Sequence, residues 1–344
     1  MDGVAKAGAI SQRAAPNKTY MGSRRTPNNP WTGRVNMTRS ADRRSFVKSV
    51  IAGATIASLG RLCPAVAAGG PTAPVQLNDH LWLLVSGGAN VVACRDSAGI
   101  ALVDGGPEAA SRELLRQVAQ ATGSGKVHTL FNTHWHPDQT GSNLRLGNEG
   151  AKIIAHENTR LWLQYATPVP PRNTLYGPLP PKARPSETFF YDSVKTQLGE
   201  EPVQYGYLMQ AHTDGDMYVY FRKANVLVTG GPVSAAGWPV IDYHTGGWIQ
   251  GQIEGIRTLA GLADEQTRVI PANGPVLGKA DLIEQAQMYT TISGRLQKMM
   301  RQGLGADEVV AKNPAAEYEA RWGDSKAFVD MAFRSLWGHM APDS

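Results

Sequence analysis

The chain has 344 residues, 42% hydrophobic and 18% charged, which suits a soluble globular protein with a substantial core in one large or two ordinary domains. The net charge of +5 is unevenly spread: residues 1–48 hold ten Lys/Arg against Asp2 and Asp42, Arg61 adds one more, and the remainder is net −4. The basic balance therefore belongs to a leader and gives no support for a nucleic-acid partner.

That leader comes first in chain order. Asp42-Arg43-Arg44-Ser45-Phe46-Val47-Lys48 has the twin-arginine pattern, and residues 49–59 form an apolar stretch too short to span a bilayer. Ala65-Val66-Ala67 then offers small residues at signal-peptidase spacing. This order of charge, apolar run and cleavage site predicts twin-arginine export rather than a basic tail before a buried helix. The expected location is periplasmic or secreted, with no stable membrane anchor, since Arg61 just before Cys63 argues against a lipoprotein. Met37 lies six residues ahead of Arg43, a fitting start for such a leader. Residues 1–67 thus read as N-terminal extension and signal peptide, and 68–344 as the functional domain with a helical C-terminal extension. Cys63 leaves with the leader, while Cys94 has no disulfide partner and reads as a small buried hydrophobe.

Past the leader, 80–86, 90–95 and 100–103 read as strands broken at Gly87-Gly88 and Ser97-Ala98-Gly99. The spacing of Leu114, Leu115 and Val118 predicts a helix over 107–122, opened by Pro107 and ended by Gly123. A strand at 127–131 runs into a polar loop, followed by a helix over 138–146 and a short strand at 152–155. Residues 168–185 hold seven prolines and no apolar period, so they read as a long irregular surface loop. Strands follow at 203–209, 217–221 and 226–229, then a helix from about 250 to 262, a strand at 268–270, a helix over 281–301 and helical sequence to Trp337. Two groups of strands then helices imply a sheet-on-sheet core with helices outside, in four layers.

The densest chemistry is Asn132-Thr133-His134-Trp135-His136-Pro137-Asp138-Gln139-Thr140-Gly141-Ser142-Asn143, where an apolar strand ends and a helix begins. Two imidazoles two residues apart at a strand end face one side and can share one metal ion. Asp138 falls at the following helix N-terminus, where negative charge is favoured.

This segment resembles the His-x-His-x-Asp-His motif of the metallo-β-lactamase superfamily at His134, His136 and Asp138. The resemblance continues over residues 77–290. Leu102-Val103-Asp104-Gly105-Gly106 is similar to the family's supporting Asp motif, and Ala211-His212-Thr213-Asp214-Gly215-Asp216 to its third-histidine motif. Val228-Thr229-Gly230-Gly231 stands where the family usually has Gly-Asp, and Ile270-Pro271-Ala272-Asn273-Gly274-Pro275 where it has Pro-Gly-His-Gly-Pro. Five motifs in order make the resemblance specific. It implies an α/β fold, a four-layer αββα metallo-β-lactamase sandwich, and a zinc-dependent hydrolase.

The departures all fall on one metal. The family's first zinc uses three histidines, matched here by His134, His136 and His212. Of the residues around the second zinc only Asp138 remains, with Gln139, Gly231 and Asn273 at the other positions, none of them a good zinc ligand. The resemblance therefore implies one zinc at a three-histidine site with an open fourth position, delivering metal-bound hydroxide to a small ester, lactone or amide, a β-lactam-like amide included. Asp138 would orient the water and pass its proton to the leaving group, Asn273 would donate to the developing oxyanion, and Asp104 would brace the histidine loop.

The remaining histidines have blander readings: His156 as a capping or packing residue, His80 and His128 as structural strand residues, His339 near the C-terminus. His244, in Ile241-Asp242-Tyr243-His244-Thr245, follows the altered Gly231 motif and is a candidate for the pocket. Trp135, Trp162, Trp238, Tyr243 and Trp248 either line a pocket mouth or pack beneath loops. The competing function is a non-catalytic periplasmic descendant that binds zinc or a small ligand, favoured by Gln139, Gly231 and Asn273. Intact His134, His136, His212 and Asp138 favour the enzyme, with a small-molecule substrate. Nucleic-acid processing is disfavoured by the export pattern and the acidic remainder.

Overall fold

The computed structural model describes residues 73–340 apart from 172, 173, 192 and 236, so the expected leader lies outside the described residues. Strands β1 (Val75–Asn78), β2 (Leu81–Ser86), β3 (Ala89–Asp96), β4 (Gly99–Val103), β5 (Val127–Phe131) and β6 (Lys152–His156) lie side by side. A hairpin of β7 (Thr167–Val169) and β8 (Thr174–Tyr176) stands apart, and β9 (Glu187–Phe189) returns to pair with β6. The second sheet runs in sequence order through β10 (Val194–Leu198), β11 (Glu201–Tyr207), β12 (Met217–Phe221), β13 (Val226–Gly230) and β14 (Arg268–Pro271). In each sheet antiparallel strands come first and parallel ones last, from β4 onward in one and at β13–β14 in the other.

The central strands are apolar nearly throughout because both faces of each sheet are covered there. In β3, Val92 and Cys94 point between the sheets, where they meet Phe131, Val219, Phe221 and Val228. The alternate residues Val91 and Ala93 point the other way, onto Leu114 and Val118 of α1 (Ser111–Thr122) and onto Leu146. Leu146 lies on α3 (Asn143–Asn148), which follows the single turn α2 (Pro137–Thr140); α4 (Glu157–Trp162) comes next. The outer face of the second sheet, through Tyr218, Tyr220, Leu227 and Val269, packs on α5 (Ile249–Leu262), α6 (Lys279–Arg301) and the C-terminal helices. Those are α7 (Ala306–Lys312), α8 (Glu319–Trp322) and α9 (Lys326–Met340). The result is the four-layer αββα sandwich expected from the sequence. Truncating a fully buried residue in any layer, Leu102 for instance, costs about 2–5 kcal/mol.

The helix expected over 138–146 is instead α2 and α3, separated at Gly141. A Cβ there would stand 2.1 Å from the Glu108 nitrogen and 2.4 Å from the Pro107 carbonyl carbon. The two loops touch backbone to backbone, with Gly141 N–H donating to Gly106 O at 3.0 Å, and a continuous helix cannot pass that contact. The proline-rich stretch 168–185 contains the β7–β8 hairpin and a one-turn helix at Pro181–Ala183 rather than irregular chain alone. Strands β1, β9 and β10 carry no clear apolar alternation; each is short and partly exposed at or near a sheet margin, where packing imposes little pattern. Among the described residues no helix is long and apolar enough to cross a membrane.

Candidate metal centre

Each of the five motifs that carry the family resemblance runs into the loop that follows β4, β5, β11, β13 or β14. The loop after β5 is fixed from below. Asp104, in the left-handed region at φ 63, accepts hydrogen bonds from Thr133 N and Thr133 Oγ1, both at 2.8 Å. Burial pushes the Asp104 carboxyl up to about 8, against the two Thr133 hydrogen bonds that lower it. Because the Thr133 hydroxyl donates to Asp104, it accepts from His134 Nδ1 at 3.1 Å, which leaves His134 Nε2 as the free nitrogen. The loop after β11 repeats the device: Thr213 N and Oγ1 donate to the buried Asp216 at 2.8 and 3.0 Å.

The other two imidazoles are held with equal definition. His136 Nε2 donates to Asp242 Oδ2 at 3.0 Å, and Thr245 Oγ1 donates to the same oxygen at 2.7 Å. Burial works against the Asp242 carboxylate, but the hydrogen bonds from His136 and Thr245 hold it below its ordinary range. His212 Nδ1 donates to Val240 O at 2.6 Å. His136 Nδ1 and His212 Nε2 then face each other at 2.9 Å. The three rings are mutually edge-on, with centroids 4.7–4.9 Å apart and planes at 83–88°.

Each buried imidazole thus has one nitrogen anchored from behind and one turned inward, and the inward nitrogens lie within 4.8 Å of one another. Two facing nitrogens at 2.9 Å need a proton or a cation between them. Burial, together with the neighbouring imidazoles, holds His134 well below the usual imidazole range, and His212 down to about 3. Three back-anchored imidazoles whose inward nitrogens surround one point fit a metal ion.

The three histidines line a cavity of about 490 Å³ together with Asp138, Asn273 and Gly231. Gln139 lies beneath it, fully buried, and its Nε2 donates to Asp138 Oδ2 at 3.1 Å, while its Oε1 has no partner. Asn273 is exposed at the cavity, and its loop is pinned by Asn90, whose Nδ2 donates to Pro271 O and Gly274 O. His244 is exposed on a one-turn helix, packed against Tyr243 and away from the cavity lining; burial goes instead to Asp242, two residues earlier. Of the five aromatics, Trp238 lines the cavity. Trp135 is buried with its N–H on Thr245, and Trp162 donates to Asp214. His156 caps α4 and stacks on Tyr207, His80 bonds Glu201, His128 bonds Asp96, and His339 stacks on Trp248. The residues that sequence reasoning missed are Thr133, Val240 and Asp242. Only Asp242 left a trace, as an acidic residue after an apolar one in the loop following Gly231.

The sequence profile of the metallo-β-lactamase superfamily matches residues 85–268. The chain belongs to the metallo-β-lactamase superfamily. Among solved structures it is similar to a metallo-β-lactamase from Pontibacter korlensis, at 17% identity over 63% of this chain and 98% of that one, with a TM-score of 0.52. The metallo-β-lactamase DIM-1 is similar at 17% identity over 63% and 96% of the two chains, TM-score 0.50. The inverting sec-alkylsulfatase Pisa1 from Pseudomonas sp. covers more of this chain, 79%, at 15% identity and a TM-score of 0.62, although the chain spans half of its length. These likenesses show the fold. No curated protein matches the sequence.

Gly231, which the sequence resemblance sets against the family's bridging Asp, has no room for a side chain. The His212 ring lies directly over Gly231, so that a Cβ would meet Cδ2 at 2.2 Å and Cγ at 2.6 Å. Gln139, which the resemblance sets at another second-metal position, spends its amide on Asp138.

Proposed function

We propose that the protein is an exported hydrolase with one zinc ion held by His134, His136 and His212, acting on a small ester, lactone or amide. The observation that carries this reading is three back-anchored imidazoles converging in a cavity that Asp138 and Asn273 also line. A donor set of three imidazoles suits zinc. When bound there, such an ion lowers the pKa of water to about 7 and polarises a carbonyl oxygen.

The chain's own residues supply the rest. Asp138 is held by the Gln139 amide with its carboxylate in the cavity, where it accepts a proton from the attacking water and returns it to the leaving group. The Asn273 side-chain amide donates to the oxyanion as it develops, from a loop that Asn90 keeps in place. Asp242 and Thr133 keep His136 and His134 turned inward. The twin-arginine pattern supports export of the folded, metal-loaded protein.

The test is hydrolysis of a panel of esters, lactones and β-lactams by the metal-loaded protein, with Asp138→Ala beside it. The expected result is turnover of at least one class, reduced about 100-fold or more in the variant. A metal-loaded protein that turns over nothing in the panel supports the binding-protein alternative.

A further inference from the structure

The cavity is polar where the histidines, Asp138 and Asn273 meet, and apart from Thr174 and Ser234 the rest of its lining is apolar. Two separate segments supply most of the apolar lining: Val169, Pro170 and Pro171 around the β7–β8 hairpin, and Val233, Trp238 and Pro239 from the loop after β13. Trp238 is half-buried and unusually well supported. Its indole stacks on Phe328 with centroids 4.6 Å apart and planes at 14°, and lies 5.8 Å from the Trp322 ring. Its Nε1 donates to Gly323 O at 2.8 Å. All three supports come from the C-terminal helical segment, beyond the residues 85–268 that carry the family's profile.

An indole whose N–H is already satisfied, and which keeps surface in a cavity, offers a ligand its apolar ring. A space of about 490 Å³ also holds far more than the reacting ester group. We infer that Trp238, buttressed by the C-terminal helices, is the specificity-determining platform of this site, and that the substrate is an ester or lactone with an apolar acyl chain lying on it. This rests on the hydrolase reading above and names its substrate class.

The experiment uses the full-length, metal-loaded protein and p-nitrophenyl esters from acetate to octanoate. The kcat/KM is expected to rise about fourfold per methylene until the cavity is filled. Trp238→Ala collapses the octanoate-to-acetate ratio, Trp238→Phe largely restores it, and Phe328→Ala lowers it part-way. Equal kcat/KM for acetate and octanoate in the unaltered protein overturns the proposal, as does a Trp238→Ala loss of the same factor on every ester. A second readout separates this from the hydrolase reading: quenching of tryptophan fluorescence by p-nitrophenyl alkyl ethers, which cannot be cleaved at a carbonyl. Quenching whose affinity grows with chain length, and is lost in Trp238→Ala, supports the platform even if no ester is cleaved, an outcome that sinks only the hydrolase reading. Affinity independent of chain length sinks the platform.

Discussion

Replacing Gly231 by Asp restores the residue type usual in the superfamily and, by sequence logic alone, ought to rebuild a second metal site. The structure predicts the reverse. The new Cβ would stand 2.2 Å from His212 Cδ2, 2.6 Å from Cγ and 2.9 Å from Nε2, well inside contact distance. The ring has little freedom to yield, since its Nδ1 bonds Val240 O at 2.6 Å and its edges meet the other two imidazoles. Overpacking of this kind costs about 1–3 kcal/mol, and losing the Val240 hydrogen bond adds about 1. The expected destabilisation of about 2–4 kcal/mol lowers the melting temperature by roughly 5–15 °C. Because the displaced side chain is itself a proposed ligand, metal content falls too. Thermal denaturation and elemental metal analysis of the dialysed variant test this together. Two ions per chain with an unchanged melting temperature would refute the reasoning.

Two further outcomes follow from the same structure. Asp242→Asn removes the charge that orients His136, so metal affinity should fall about 10–100-fold with the fold intact, as read by competition with a chelator; unchanged affinity would mean that the contact is incidental. Burial, with Glu201 and Asp96 nearby, pushes the Cys94 thiol up to about 12, so in a Cys63→Ser background it should resist a thiol reagent until the protein is denatured; rapid labelling of the native protein would contradict that burial.

The fold was largely legible because both sheets are covered on both faces, so β3, β4, β5, β12 and β13 announce themselves as apolar runs. The edge strands β1 and β10 were not, because exposure frees them from any apolar pattern. Gly141 shows a different limit: its meaning lies in a backbone contact with Gly106 and Glu108, more than thirty residues away in sequence, which no local spacing encodes. At the site, His134, His136 and His212 were readable from motif spacing. Their anchors were not, since a threonine hydroxyl, a backbone carbonyl and one aspartate become partners only when separate loops meet. Gly231 is the instructive case. The sequence records it as a missing carboxylate, whereas the structure shows the space taken by an imidazole ring.

The central claim is one metal ion at three histidines, and the most direct measurement is metal content per chain of protein purified without added chelator. The account predicts about one equivalent, mainly zinc, lost in each of His134→Ala, His136→Ala and His212→Ala. Two equivalents in the unaltered protein, or one equivalent retained in all three variants, would contradict it.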